Sequence, residues 1–145
     1  MKNLSIALIA ITLVFMACSK EKKALKNIEG TWNVTAMTED SAGTVTDMWV
    51  ALTAMGVTSM KYQFEAGEAT TGGTAYMISA GSFMGFPMDN IDTVSYIISS
   101  DGTTLSITDD GETTTGTIDK LTSSALELSE TDSLGVINKV TFAKE

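Results

Sequence analysis

DTVSYIISSDGTTLSITDDGETTTGTID, residues 92–119, holds three strand patterns separated by two Asp-Gly steps. Val94, Tyr96 and Ile98 fall on one face of an extended chain, the period-2 mark of a half-buried strand. TTLSIT (103–108) follows Ser100-Asp101-Gly102, and ETTTGTID (112–119) follows Asp110-Gly111. An Asp-Gly step between two strand patterns is a hairpin signal, because both residues tolerate positive φ. Three consecutive antiparallel strands with very short links follow from this stretch alone.

The pattern continues in both directions. SALELS (124–129) and GVINKVTFA (135–143) extend it toward the C-terminus, and GTAYMISA (73–80) precedes it. SMKYQFEA (59–66) puts Met60, Tyr62 and Phe64 on one face and Lys61, Gln63 and Glu65 on the other. TWNVTAMT (31–38) places Trp32, Val34 and Ala36 together. Threonine is abundant, and its branched Cβ suits strands. The one proline, Pro87, stands between strand patterns. Two stretches break the alternation. DMWVALTAM (47–55) has Met48, Leu52 and Met55 at helical spacing, so it is a short helix or an apolar flap, and GSFMGFPMDN (81–90) reads as an apolar, glycine-rich loop. The fold expected is all-β: a single antiparallel meander of about eight strands, closing into a barrel or folding into a sandwich, with a short N-terminal helix or tether.

The chain carries a net charge of −9, with neither arginine nor histidine. Phosphate neutralisation needs a basic face, so no nucleic-acid partner is expected. Without histidine and with one cysteine, neither a Ser-His-Asp triad nor the usual zinc ligand sets can be built. Carboxylate pairs remain at Glu39-Asp40 and Asp109-Asp110, the second in a DDG turn, and neither has the spacing of a calcium loop. No metal, no cofactor and no catalysis are expected.

Residues 4–17, LSIALIAITLVFMA, follow Lys2 and end at Ala17. A charged start, a short apolar core and a small final residue make a secretory signal, and the run falls short of the roughly 20 apolar residues of a membrane span. The single cysteine, Cys18, comes next. FMA-Cys resembles a bacterial lipobox, with Phe15 where leucine is usual. That resemblance implies cleavage before Cys18, acylation of its sulfur and a durable membrane anchor. The domains expected are therefore a lipoprotein signal over 1–17, a polar tether over 18–27 (SKEKKALKN and its flank) and a folded domain over 28–145. An outer-membrane lipoprotein of the bacterial envelope, facing the periplasm or the surface, is the expected location.

LKNIEGTWNV (25–34) sharpens the fold. Gly30 and Trp32, as Gly-x-Trp at the start of the first strand, resemble the lipocalin signature. The strand rhythm behind them is similar to that of lipocalin-like lipoproteins of the Bacteroidetes. The resemblance implies a closed eight-stranded barrel whose floor is sealed by Trp32 under a basic side chain of the last strand, here Lys139 or Lys144. Both signature residues are expected to be structural.

A barrel of that size holds one small ligand at its mouth. The apolar residues of the two interrupting stretches, Trp49, Met55, Phe83, Met84 and Phe86, are the candidate lining, supported by a methionine-rich chain. A small hydrophobic molecule, neutral or weakly polar, is the expected ligand, since an acidic surface disfavours anions. The alternative is an envelope interaction protein whose apolar loops dock a partner protein. Asp40-Ser41-Ala42, Asp92-Thr93-Val94 and Asp132-Ser133-Leu134 match a short Bacteroidetes O-glycosylation pattern, with Ser41, Thr93 and Ser133 as acceptors.

Overall fold

The computed structural model describes residues 20–67 and 71–145, with the side chain of Phe83 also outside the description. The signal sequence and Cys18 therefore lie outside the described residues.

The chain enters as a helix, α1, over residues 20–28. Eight of the ten residues of the expected tether, 20–27, are thus helical. Its lysines, glutamate, alanine and leucine are good helix formers. Glu21, Ala24 and Ile28 recur at helical spacing on one face, and that face is buried, Ile28 completely. A polar composition concealed a narrow apolar stripe. Gly30, at φ +108°, turns the chain out of the helix into the first strand.

The strands of the barrel wall are β1 (Gly30–Ser41), β3 (Val57–Ala66), β4 (Gly72–Phe83), β6 (Asn90–Ile98), β7 (Thr104–Asp109), β8 (Glu112–Leu121), β9 (Ala125–Thr131) and β10 (Ile137–Lys144). Each pairs antiparallel with the next, and β1 pairs with β10 from Trp32–Lys144 to Asp40–Ile137, closing an eight-stranded barrel. Two short strands stand outside this ring: β2 (Thr44–Asp47) on the end of β1, and β5 (Phe86–Pro87) on β4. α2 (Met48–Ala54) follows β2, capped by Asp47, whose carboxylate accepts from the Val50 amide. All eight expected strands are present, and 47–55 supplies the short helix. The expected loop over 81–90 is instead a hairpin: β4 runs on to Phe83, and Met84 and Gly85, both at positive φ, turn it into β5. Asp110-Gly111 makes the same kind of turn between β7 and β8.

Side chains follow the alternation until a bulge shifts it. Trp32 and Val34 point into the core as expected, but β1 carries one extra residue between Val34 and Ala36. Beyond it the phase reverses. Ala36 stands opposite Thr141, and Met37, opposite Val140, packs against the core in its place. A second bulge in β8, between Ile118 and Lys120, likewise brings both Ile118 and Leu121 inward.

The densest packing lies at one end of the barrel. Trp32 is fully buried there, and its indole Nε1–H donates to the Ile28 carbonyl at 2.6 Å. The ammonium of Lys144 sits 4.9 Å from the centre of the Trp32 rings and donates to the Asn27 carbonyl at 3.0 Å. Of the two lysines expected over the tryptophan, Lys144 takes the place. Lys139 instead pairs outside the wall with Glu127 at 2.8 Å and Asp119 at 3.9 Å. A Cβ on Gly30 would come within 3.0 Å of the Lys144 side chain, so the glycine keeps that lysine over the ring. Phe64 and Tyr96 meet edge to face above this floor, with ring centroids 5.2 Å apart.

Candidate ligand-binding site

Away from the sealed floor the barrel is hollow. The inward rows of β7 and β10 carry large side chains, Leu105 and Ile107 on one, Val140 and Phe142 on the other. The inward row of β8 does not. Thr114 stands opposite Ile107, and Gly116 stands opposite Leu105. Two small residues where β7 and β10 have Leu, Ile, Val and Phe leave volume that no side chain fills. The result is an apolar cavity of about 180 Å³, bounded also by Tyr62 and Leu128. A second, outer cavity of about 500 Å³ shares Tyr62, Ile107 and Thr114 with the first and reaches the mouth.

The lining changes character at the mouth. Strand phase carries Ile107 on to Asp109, which pairs with Glu112, and Leu128 on to Glu130, which pairs with Asn138. Asp109, Asp110 and Glu112 line the outer cavity, and Glu130 and Asn138 edge the inner one. No lysine among the described residues lines either cavity. The cations stand elsewhere: Lys61 pairs with Glu145, Lys120 and Lys139 with Glu127, and Lys20 and Lys23 edge a groove between α1 and the sealed end. The Lys139 hydrogen bond holds the Glu127 carboxyl below its usual range. Burial pushes the Tyr62 phenol up, so it stands neutral at the junction of the two cavities. Among the described residues no cluster of histidine, cysteine or carboxylates has a geometry able to hold a metal.

The residues expected to line the site sit on α2 and the β4–β5 hairpin, or next to them. Trp49, on α2, is half-buried and packs against the core. Met55, Met84 and Phe86 are exposed at the open end, Met84 by 84% and Phe86 by 74%. Phe83 belongs to β4, and its side chain lies outside the described residues. Trp49, Met55, Met84 and Phe86 line neither the inner nor the outer cavity. The hairpin and the end of α2 hold Met55, Met84 and Phe86 on the outside of the rim. Of the methionines, Met77 reaches the outer cavity. Tyr62, Ile107, Leu128 and Val140 read as plain core in the sequence. What distinguishes them is the small inward row of β8 facing them, together with acidic residues at the inward-phase ends of β7, β8 and β9. The DDG stretch is the turn expected of it, and it also sets two carboxylates at the mouth. Ser41, Thr93 and Ser133 are exposed.

Comparison with known proteins agrees with this architecture. Residues 28–128 match the model of a lipocalin-like domain. Japanin from Rhipicephalus appendiculatus, solved bound to cholesterol, superposes with a TM-score of 0.59 at 10% identity, over 79% of this chain and 74% of that one. A lipocalin-like protein from Bacteroides uniformis is 18% identical over 82% of this chain and 99% of its own, with a TM-score of 0.49. A redesigned β-barrel is also 18% identical, over 84% and 95%, with a TM-score of 0.46. No curated protein matches. With a floor sealed by Trp32, an eight-stranded wall and a family match over most of its length, the chain belongs to the lipocalin-like domain family.

Proposed function

We propose that this chain is a non-catalytic binding protein that holds one small apolar molecule in its barrel, anchored to a membrane through an acylated Cys18. The observation that carries the binding is the apolar cavity of about 180 Å³ opening through a wider mouth. Cholesterol bound to japanin is consistent with it, as a property of that protein. The anchor rests on the apolar run ending at Ala17-Cys18. α1 adds a geometric consequence. Cys18 lies two residues before Lys20, the first described residue of the helix, a reach of at most about 7 Å. The helix leads straight to the sealed end. An acyl chain on Cys18 would therefore hold that end, with Lys20, Lys22, Lys23 and Lys26, against the lipid head groups of the outer membrane and leave the mouth facing away.

The neutral fluorescent reporter N-phenyl-1-naphthylamine tests the cavity. One molecule per chain is expected to bind, and Val140→Phe, which fills the inner cavity, is expected to weaken it at least about tenfold. Binding that ignores Val140→Phe, or no binding at all, overturns the cavity reading. A partner-docking role is the second reading, favoured by the exposure of Val45, Val50, Met55, Met84, Phe86 and Leu134 around the open end.

A further inference from the structure

The occupant can be specified further, on the reading just given that the cavity holds an apolar molecule. We infer that the ligand is a cationic amphiphile: a short apolar body with a protonated or quaternary amine at one end. Three observations converge on this class.

The first is size. An apolar cavity of about 150 Å³ takes a benzene-sized molecule, so the inner cavity of about 180 Å³ accepts one ring or a short alkyl chain and little more. The remainder of any larger ligand must lie in the outer cavity, because the two share Tyr62, Ile107 and Thr114 and the floor beneath is closed by Trp32.

The second is charge. The part of the ligand in the outer cavity meets Asp109, Asp110 and Glu112, with Glu130 at the edge of the inner cavity. Their carboxylates make no ion pair within 4.0 Å among the described residues, whereas Lys61, Lys120 and Lys139 are each engaged with carboxylates on the outer wall. A cation at the mouth would lie within about one Debye length of several carboxylates at physiological salt, and an anion there would be repelled by all of them.

The third is polarity along the path. Leu105, Leu128, Val140 and Phe142 offer the inner end no charge, whereas the ionised side chains lining the two cavities, Asp109, Asp110, Glu112 and Glu130, lie toward the open end. The site is thus graded from apolar to anionic along one axis, which sets the orientation of an amphiphile as well as its class. A neutral hydrocarbon would use only the inner half of it.

Three probes of equal chain length separate the terms: octyltrimethylammonium, 1-octanol and octanoate, each below its aggregation limit. Isothermal titration at pH 7 and low salt is expected to rank them in that order, with the ammonium about tenfold or more tighter than the alcohol. Asp109→Asn, Asp110→Asn, Glu112→Gln and Glu130→Gln together should bring the ammonium-to-alcohol ratio near one. Asparagine also tolerates the left-handed conformation that position 110 requires. A thermal melt checks that this variant is folded. Octanoate binding as tightly as the ammonium, in a protein that loses octanol on Val140→Phe, overturns the cationic class and leaves the cavity reading standing. Ammonium bound equally well by Val140→Phe, with no octanol bound by either protein, overturns both: the cation would then be held at the rim alone.

Discussion

Replacing Trp32 by Phe tests how the barrel is sealed. The indole is fully buried, so its N–H has no water to turn to, and it donates to the Ile28 carbonyl at 2.6 Å. Phenylalanine removes the donor and strands that carbonyl at the end of α1, a cost of about 1–3 kcal/mol. It also gives Lys144 a smaller π face, losing part of an interaction worth about 0.5–2 kcal/mol. The missing ring leaves a small void on top of this. About 2–4 kcal/mol in all is a large share of the roughly 5–15 kcal/mol that holds a domain together. In a chain of this size each kcal/mol moves the melting midpoint by about 3–4 °C, so a fall of about 6–16 °C is expected. The assay is chemical denaturation of Trp32→Phe beside Trp49→Phe. Each variant keeps one tryptophan, so its fluorescence reports one end of the barrel. Trp49, half-buried and outside the cavities, is expected to cost less than about half as much. A double-mutant cycle of Trp32→Phe with Lys144→Met should return a coupling of about 0.5–1 kcal/mol. Trp32 does not seal the floor in this way if Trp32→Phe costs no more than Trp49→Phe, or if the cycle shows no coupling.

Tyr96 carries a buried hydroxyl without a hydrogen-bond partner among the described residues, and its pKa is pushed up to about 12 by burial and by the nearby Glu29 carboxylate. Its folded pKa lies above the unfolded value near 10, so the stability that its neutral form contributes is complete below pH 10 and drains away toward pH 12. Tyr96→Phe should blunt that alkaline loss and raise neutral-pH stability by about 1 kcal/mol, read by urea melts at pH 7 and pH 11; a destabilised variant would show that the hydroxyl is satisfied. Cys18→Ser is expected to abolish metabolic labelling by a fatty-acid analogue and release the protein from the membrane fraction. Equal labelling of both forms would remove the anchor.

Much of this barrel was legible in the chain because strands write their phase locally. Alternation at Met60, Tyr62 and Phe64, or at Val94, Tyr96 and Ile98, depends only on neighbours two residues apart, and Asp110-Gly111 declares its own turn. Trp32 beside Gly30 was legible for a similar reason: a large aromatic next to a residue able to take positive φ marks one corner of the wall. What escaped was decided across strands. The bulge after Val34 exchanges Ala36 for Met37, and only pairing with β10 reveals it. α1 reads as a tether because three apolar residues among lysines look negligible until Ala24 and Ile28 are set against the barrel's end. The candidate site escaped most fully. Whether a barrel is hollow is a sum of side-chain volumes around a ring. Thr114 and Gly116 leave space only because Ile107 and Leu105 stand opposite them and Val140 and Phe142 lie across the interior. The apolar residues of 47–55 and 81–90 were visible as exceptions to the alternation, but local sequence does not say on which side of a wall an exception will lie. The tertiary structure put Met55, Met84 and Phe86 outside the rim and a row of carboxylates at the mouth, because the register of paired strands, and not the composition of any one of them, sets what faces the interior.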